Sequence, residues 1–260
     1  MIIFFILPSL ILLGLLFGYP FIRYLWLSFH ASSVLTSFDL IPNNGANWMR
    51  IINDQRFWVD LYQTLRFAGV SVTIEIIIAI LLAIVLDQRW RGMGGLRTIS
   101  LLPWALPTTV MALGWRWIFN TPYGILEKVI TFLGLPNINF LSNPDITWLI
   151  TVIADVWKTT PFITLIILAG LQTIPNQLYE AFELEGGHPL EALTKLTLPL
   201  ILPYIQLSII FRLAQAIGVF DLIQIMTGGG PAGSTETVAM YAYINAMRYL
   251  DFGYSSTIII

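Results

Sequence analysis

Apolar residues in this chain arrive in runs of about 20, each long enough to cross a hydrocarbon layer roughly 30 Å thick as a helix, and no other feature limits the possible folds so severely. Charged residues make up only 11% of the 260 positions and hydrophobic ones 57%. Soluble domains carry roughly 25% charged residues because their surfaces must face water, so this chain holds too little charge to coat one. The expected fold class is an all-α integral membrane protein. A net charge of -2 leaves no broad electrostatic footprint for nucleic acid. The lack of cysteine excludes disulfides, thiolate metal sites and cysteine nucleophiles.

Six candidate spans follow from the pattern, at residues 2–24, 61–86, 99–119, 146–171, 198–226 and 252–260. The first, broken by Pro8 and Pro20, lacks the basic start and small-residue cleavage site of a signal peptide and is expected to be retained. The third contains Pro103 and Pro107. The last, from Phe252 to Ile260, is too short to cross a bilayer, so a truncated final helix is expected. No domain boundary is visible, and residues 1–260 read as a single transmembrane domain. Lysine and arginine favour cytoplasmic loops, but Arg89, Arg91 and Arg97 on one side nearly balance Arg50, Arg56, Lys128 and Arg248 on the other. Charge alone therefore leaves the orientation open.

The polar insert at 172–199 carries the most information. Asn176 is placed to cap a helix and Glu180 to favour its dipole. Leu178, Ala181, Phe182 and Glu185 share one mostly apolar face at helical spacing. Gly186 and Gly187 can end that helix, Pro189 can open a second short one, and Pro199 can close it. The result is a helix–turn–helix knob between two membrane spans, and its apolar stripe implies a partner. The alternative is a hairpin folded beneath its own bundle.

Ionisable groups inside spans are costly and normally face a cavity or a partner. Asp155 and Lys158 stand three residues apart on one helical face, within pairing reach, so they either line a cavity or neutralise each other. Pro161 weakens the helix beside them. Arg212 lies in the fifth span, and Glu75 stands alone in the second, where a packing or pairing role is expected. Trp104, between two prolines, faces lipid or lines a cavity where its helix is broken.

An intramembrane hydrolase would need a nucleophile with a base, or metal ligands. The two histidines, His30 and His188, lie outside the span interiors, and neither H-E-x-x-H nor G-x-S-x-G occurs. A self-sufficient secondary transporter or channel predicts inverted repeats and a coupling-ion site; neither is evident, and the knob would be left unexplained. A scaffold subunit with no path of its own is a third possibility.

The insert resembles the coupling loop, or EAA motif, of binding-protein-dependent ABC importer permeases, which reads Glu-Ala-Ala, two variable residues, Asp-Gly-Ala, then an apolar helix ending in Leu-Pro. Glu180, Ala181, Gly186, Leu198, Pro199 and Pro203 match, while Phe182, Glu185 and Gly187 replace Ala, Asp and Ala. A second stretch, from Phe220 and Asp221 through Thr227, three glycines and Pro231 to Tyr241 and Tyr243, is similar to the end of the fifth span in carbohydrate importer permeases. The resemblance covers nearly the whole chain and is strongest to the maltose-permease-like first subunit. The stretch from Asp155 to Phe162, with Phe211 and Arg212, is most similar to trehalose-type or glucosylglycerol-type permeases.

The resemblance implies a six-helix permease bundle with a cytoplasmic coupling helix in the bacterial inner membrane. It places the 89–97 turn and the 172–199 insert inside the cell. It implies a non-enzymatic subunit with no cofactor of its own, ATP and magnesium being held by a pair of ATPase subunits. A second permease subunit would complete the translocation path, and an extracytoplasmic binding protein would deliver the sugar. Glu180, Ala181, Gly186 and Gly187 would couple to the ATPase. Trp104, Thr108, Asp155, Lys158, Thr159, Phe162, Arg212, Ala216 and Val219, with Gln215 as a looser addition, would contact the sugar. Charged residues here stand where the maltose type uses polar or apolar ones, which implies a different sugar.

Overall fold

The computed structural model describes residues 2–88, 90–134, 136 and 139–260, so Arg89 of the expected basic turn lies outside the described residues. Almost all of the regular structure is helical. Four helices are long and apolar enough to cross a membrane, at Ile6–Ser28, Gln55–Asp87, Pro144–Leu171 and Pro189–Ile217, and a bent pair at Met93–Ala105 and Thr108–Ile118 makes a fifth when counted as one span. Helices meet the demand that no backbone polar group be left unpaired in lipid. Where a sixth span is expected, the structure has an eight-residue helix, Phe252–Ile259, which is too short to be counted among the spans.

Two compact units can be distinguished, residues 2–63 with 236–260, and Thr64–Thr235. The first contains α1 (Ile2–Leu13), α2 (Tyr19–Ser28), a two-residue strand pair in which His30–Ala31 faces Ile41–Pro42, and α3 (Ala46–Asn53). The expected breaks at Pro8 and Pro20 do not occur. Pro20 falls in the first turn of α2, where a missing N–H is harmless, and a π-helical turn at Gly14–Gly18 joins α1 to α2. The last two helices of the chain, at Val238–Met247 and Phe252–Ile259, complete this unit around Ile51, Tyr241 and Tyr254.

Asp54 organises that unit. Its Oδ1 accepts the N–H groups of Arg56 and Phe57 and so caps α4 (Gln55–Asp87), whose first turns belong here. Its Oδ2 accepts the hydroxyls of Tyr241 and Tyr254. Burial alone would raise this carboxyl, but the two tyrosine hydroxyls and the two backbone N–H groups outweigh it and hold Asp54 below the usual carboxylate range. Beside it, the Arg56 guanidinium grips Glu236 with Nη2 at 2.8 and 3.0 Å from the two carboxylate oxygens.

The second unit holds the rest of α4, the broken third span, α8 (Ile125–Phe132) and α9 (Pro144–Leu171), then the knob and the fifth span. Ala79 and Ala83 of α4 and Ile163 and Ile167 of α9 form a buried core with Ile201. Small residues on α4 let its backbone approach its neighbours closely, the device that packs membrane helices in the absence of a solvent-driven force. Asn143 caps α9 through its Oδ1, which accepts from Asp145 N and Ile146 N, with Pro144 in the first turn. The third span comprises α5 (Met93–Ser100), α6 (Leu102–Ala105) and α7 (Thr108–Ile118), with an 87° bend between the last two at Leu106 and Pro107. Arg97 secures its start by donating Nε and Nη2 to the Leu86 carbonyl at 3.0 and 2.7 Å, satisfying an acceptor at the end of α4.

The fifth span departs from expectation at both ends. Pro199 does not close the second knob helix. From α11 (Pro189–Ala192) the chain passes through a π-helical turn at Leu193–Thr197 into α12 (Leu198–Ile217) as one continuous helix. Pro199 stands in the first turn after the π segment, where its missing N–H breaks nothing. At the other end α12 stops at Ile217 rather than running to Met226. Gly218 ends it, and α13 (Asp221–Met226) is a separate helix with Asp221 in its first turn, packed on α7 and α9.

Candidate functional site

The knob begins with α10 (Asn176–Leu184), preceded by Pro175 at the capping position. Asn176 is therefore the first helical residue and not the cap, because Pro175 already holds the extended conformation that a cap needs. The turn after α10 is a Schellman motif: Gly187 N donates to Phe182 O at 3.0 Å, Gly186 N donates to Glu183 O at 2.9 Å, and Gly186 adopts φ +84°. No residue of α10 is buried, and Leu184 and Leu190 are 89% and 73% exposed. The hairpin is thus not folded away beneath its own helices. Glu180, Ala181 and Gly186 are exposed and Gly187 is half-buried. Tyr179 Oη and Thr197 Oγ1 share a hydrogen bond of 2.9 Å, which fastens α10 to the continuous α11–α12 helix. About 34 Å of that helix, at 1.5 Å per residue, separates Pro189 in the knob from Arg212 in the span.

Two of the departures from the EAA pattern compensate each other. A Cβ on Gly187 would fall 2.1 Å from Phe182 Cε1 and 2.7 Å from the Phe182 carbonyl oxygen. Where the motif carries two alanines, this chain has a ring at one position and no side chain at the other. Gly187→Ala should therefore remove much of the turn's resistance to proteolysis. Adding Phe182→Ala should restore part of it, relieving the ring contact but not the carbonyl contact. Limited proteolysis of the purified protein between α10 and α11 checks both; unchanged cleavage of Gly187→Ala would show that the turn tolerates the strain.

Inside the span region, three helices contribute to one buried polar network. Arg212 on α12 donates Nε to Glu75 Oε2 at 2.5 Å and Nη2 to Glu75 Oε1 at 2.8 Å and Asp155 Oδ2 at 2.9 Å. Glu75 comes from α4 and Asp155 from α9, and the three side chains are between 0 and 9% exposed. Arg212 Nη1 reaches Gln215 Oε1 at 3.2 Å, and the Thr159 hydroxyl donates to Glu75 Oε1 at 2.7 Å. A guanidinium suits this position because its planar fork serves two carboxylates and an amide at once.

The pairing of Asp155 with Lys158 that their spacing allows does not form. Asp155 faces Arg212, and Lys158 Nζ instead donates to the Leu106 carbonyl at 2.7 Å, at the bend of the third span. A broken helix leaves carbonyls without intrahelical donors, and a lysine in lipid needs acceptors, so each meets the other's requirement. Trp104 on α6 stacks on Phe162 of α9, with centroids 5.5 Å apart and 17° between planes, and the tryptophan remains 48% exposed as a residue. Thr108 opens α7 just past the bend.

The ten residues matched to a sugar site thus separate by access. Trp104 and Gln215 are exposed, and Thr108, Lys158, Thr159, Phe162 and Val219 are half-buried. Asp155, Arg212 and Ala216 are buried, the last against Ala68 and Val72. Sequence reasoning placed Glu75 in a pairing or packing role without finding its partner, 137 positions away. The available signal was arithmetic: a carboxylate in one span and an arginine in another are each costly alone and seek each other.

Residues 75–260 match the family model described as binding-protein-dependent transport system inner membrane component. The chain is 38% identical over 254 residues to the trehalose/maltose transport system permease protein MalF of Thermococcus litoralis, covering 97% of this chain and 85% of that one. It is 34% identical over 251 residues to the sulfoquinovosyl glycerol transport system permease protein SmoG of Agrobacterium fabrum, covering 96% and 82%. Among solved structures, a chain of a bacterial alginate ABC transporter, in complex with an alginate pentasaccharide-bound periplasmic protein, superposes with a TM-score of 0.83. That match covers 98% of this chain and 85% of the other at 20% identity, which establishes likeness of fold alone.

Proposed function

This chain belongs to the binding-protein-dependent transport system inner membrane components, and on that premise we propose that it forms one half of the translocation path of an ATP-driven sugar importer. A second, homologous permease would supply the other half, a pair of ATPase subunits would bind ATP and magnesium on the cytoplasmic side, and a binding protein would deliver the sugar from outside. The relatives named as trehalose/maltose and sulfoquinovosyl glycerol permeases support a carbohydrate as cargo.

One observation carries the coupling reading: the exposed knob is the continuation of α12, the helix that holds Arg212 and Gln215. Closure of the ATPase pair on α10 would be transmitted along a continuous helix to the polar network, with the Tyr179–Thr197 bond keeping the two arms of the knob together. Exposed Trp104 stacked on Phe162 would cover an apolar ring face of the sugar, and Thr108, Lys158, Thr159 and Gln215 would meet its hydroxyls. Arg212 and Asp155, sealed from the surface, would act on the sugar by holding these groups and by their field.

A tagged chain extracted in mild detergent should bring down an ATPase subunit together with a homologous permease. Recovery without any ATPase, under conditions that preserve the permease pair, would count against the coupling role.

A further inference from the structure

The buried network points to the charge of the cargo, an inference that rests on the sugar-import reading. Arg212 and Lys158 supply two formal positive charges, and Glu75 and Asp155 supply two negative ones, so this cluster sums to zero. The three hydrogen-bonded groups alone sum to minus one, and Lys158, about one turn from Asp155 on α9, brings the cluster to zero. Glu75 accepts two hydrogen bonds from the guanidinium and Asp155 a third, while Gln215 takes a fourth through its carbonyl oxygen. We propose that Glu75 is a specificity-determining residue: together with Asp155 it offsets the charges of Arg212 and Lys158 and leaves the polar wall of the path electrically neutral, so that this subunit accepts an uncharged sugar and disfavours an anionic one.

In a medium of low dielectric constant an unbalanced charge acts over many ångströms, so Arg212 need not touch the cargo to select it. Without Glu75 the cluster would carry a net positive charge and favour a uronate or sulfonate sugar. The arrangement also sets the polarity of Gln215. With Oε1 held by Arg212, exposed Gln215 has its amide N–H donors to offer, and these suit the lone pairs of a hydroxyl or ring oxygen.

The test is the ratio of kcat/KM for a neutral disaccharide to that for its uronate counterpart, measured as transport by the reconstituted complex with one binding protein throughout. Keeping the binding protein constant makes any change in the ratio a property of the permease. The unsubstituted complex should prefer the neutral sugar. Glu75→Gln, which keeps the side-chain shape and an acceptor for Thr159, should move the ratio toward the uronate by about tenfold, a modest value for a close charge in such a setting. Asp155→Asn exposes the same guanidinium from another helix and should shift it in the same direction, whereas Glu75→Asp should not.

An unchanged ratio in Glu75→Gln and Asp155→Asn, with neutral-sugar transport intact in the unsubstituted complex, would overturn the inference and leave the sugar-import reading standing. Loss of assembly in both variants would overturn it too, since the network would then be a structural strut. Transport of neither sugar by the unsubstituted complex would defeat the underlying reading itself.

Discussion

Replacing Arg212 with methionine should damage the protein more than any other single change in the buried network. One guanidinium serves two carboxylates and an amide there, at 3% exposure. Removing it leaves Glu75 and Asp155 facing each other without a cation. Breaking a buried pair by deleting one partner costs about 3–5 kcal/mol, because the remaining charge is stranded. Removing either carboxylate instead leaves the guanidinium bonded to the other, with the excess positive charge shared with half-buried Lys158, so Asp155→Asn should be far milder. The expected order in thermal stability of the purified protein, and in recovery of the assembled complex, is Arg212→Met well below Asp155→Asn. Equal stability of the two variants would mean that the network is not held together by the guanidinium. Arg212→Lys should rescue only part of the loss, since an ammonium cannot reproduce the fork that spans both Glu75 oxygens.

Gly186→Val should abolish coupled ATP hydrolysis while the membrane subunits still assemble. Gly186 has φ +84°, and nothing lies within 4 Å of a Cβ built on it, so the penalty comes from the backbone conformation and not from crowding within this chain. A β-branched residue is a genuine outlier in that region, with strain on the order of 1–3 kcal/mol. The turn would open, the Schellman bonds would be lost, and α10 would no longer be presented at a fixed angle. Asparagine tolerates the left-handed conformation much better. Gly186→Asn should therefore keep most of the coupled activity. If asparagine fails as completely as valine, contact with a partner surface, not backbone geometry, governs the position.

The membrane class, the approximate positions of the first four spans and the existence of the knob were legible because they depend on local pattern. Runs of apolar residues reveal helices, Pro103 and Pro107 foretold the broken third span, and a Gly pair between two amphipathic stretches marks a turn. What escaped was set by tertiary context or by the neighbouring turn. Pro199 reads as a stop in isolation, yet one π-helical turn before it makes its missing N–H harmless. Gly218 looks no different from a tolerated helix glycine until α13 is seen packed against α7 and α9. Asp155 and Lys158 share a face and could pair, but Asp155 finds its partner on α12 and Lys158 at the bend of the third span, which no spacing rule within α9 can show. The candidate sugar residues came from resemblance, and geometry sorts them into accessible groups and the buried charges behind them.

The most direct test of the whole account is sugar-stimulated ATP hydrolysis by the complete complex in proteoliposomes. This chain, its partner permease and the ATPase subunits would be reconstituted together, with sugar-loaded binding protein supplied on the outer face. Hydrolysis should rise several-fold with the loaded binding protein, sugar should accumulate only when ATP is present, and Gly186→Val should abolish both responses. Sugar uptake by liposomes that contain the permease subunits alone, driven by an ion gradient and indifferent to ATP, would contradict it.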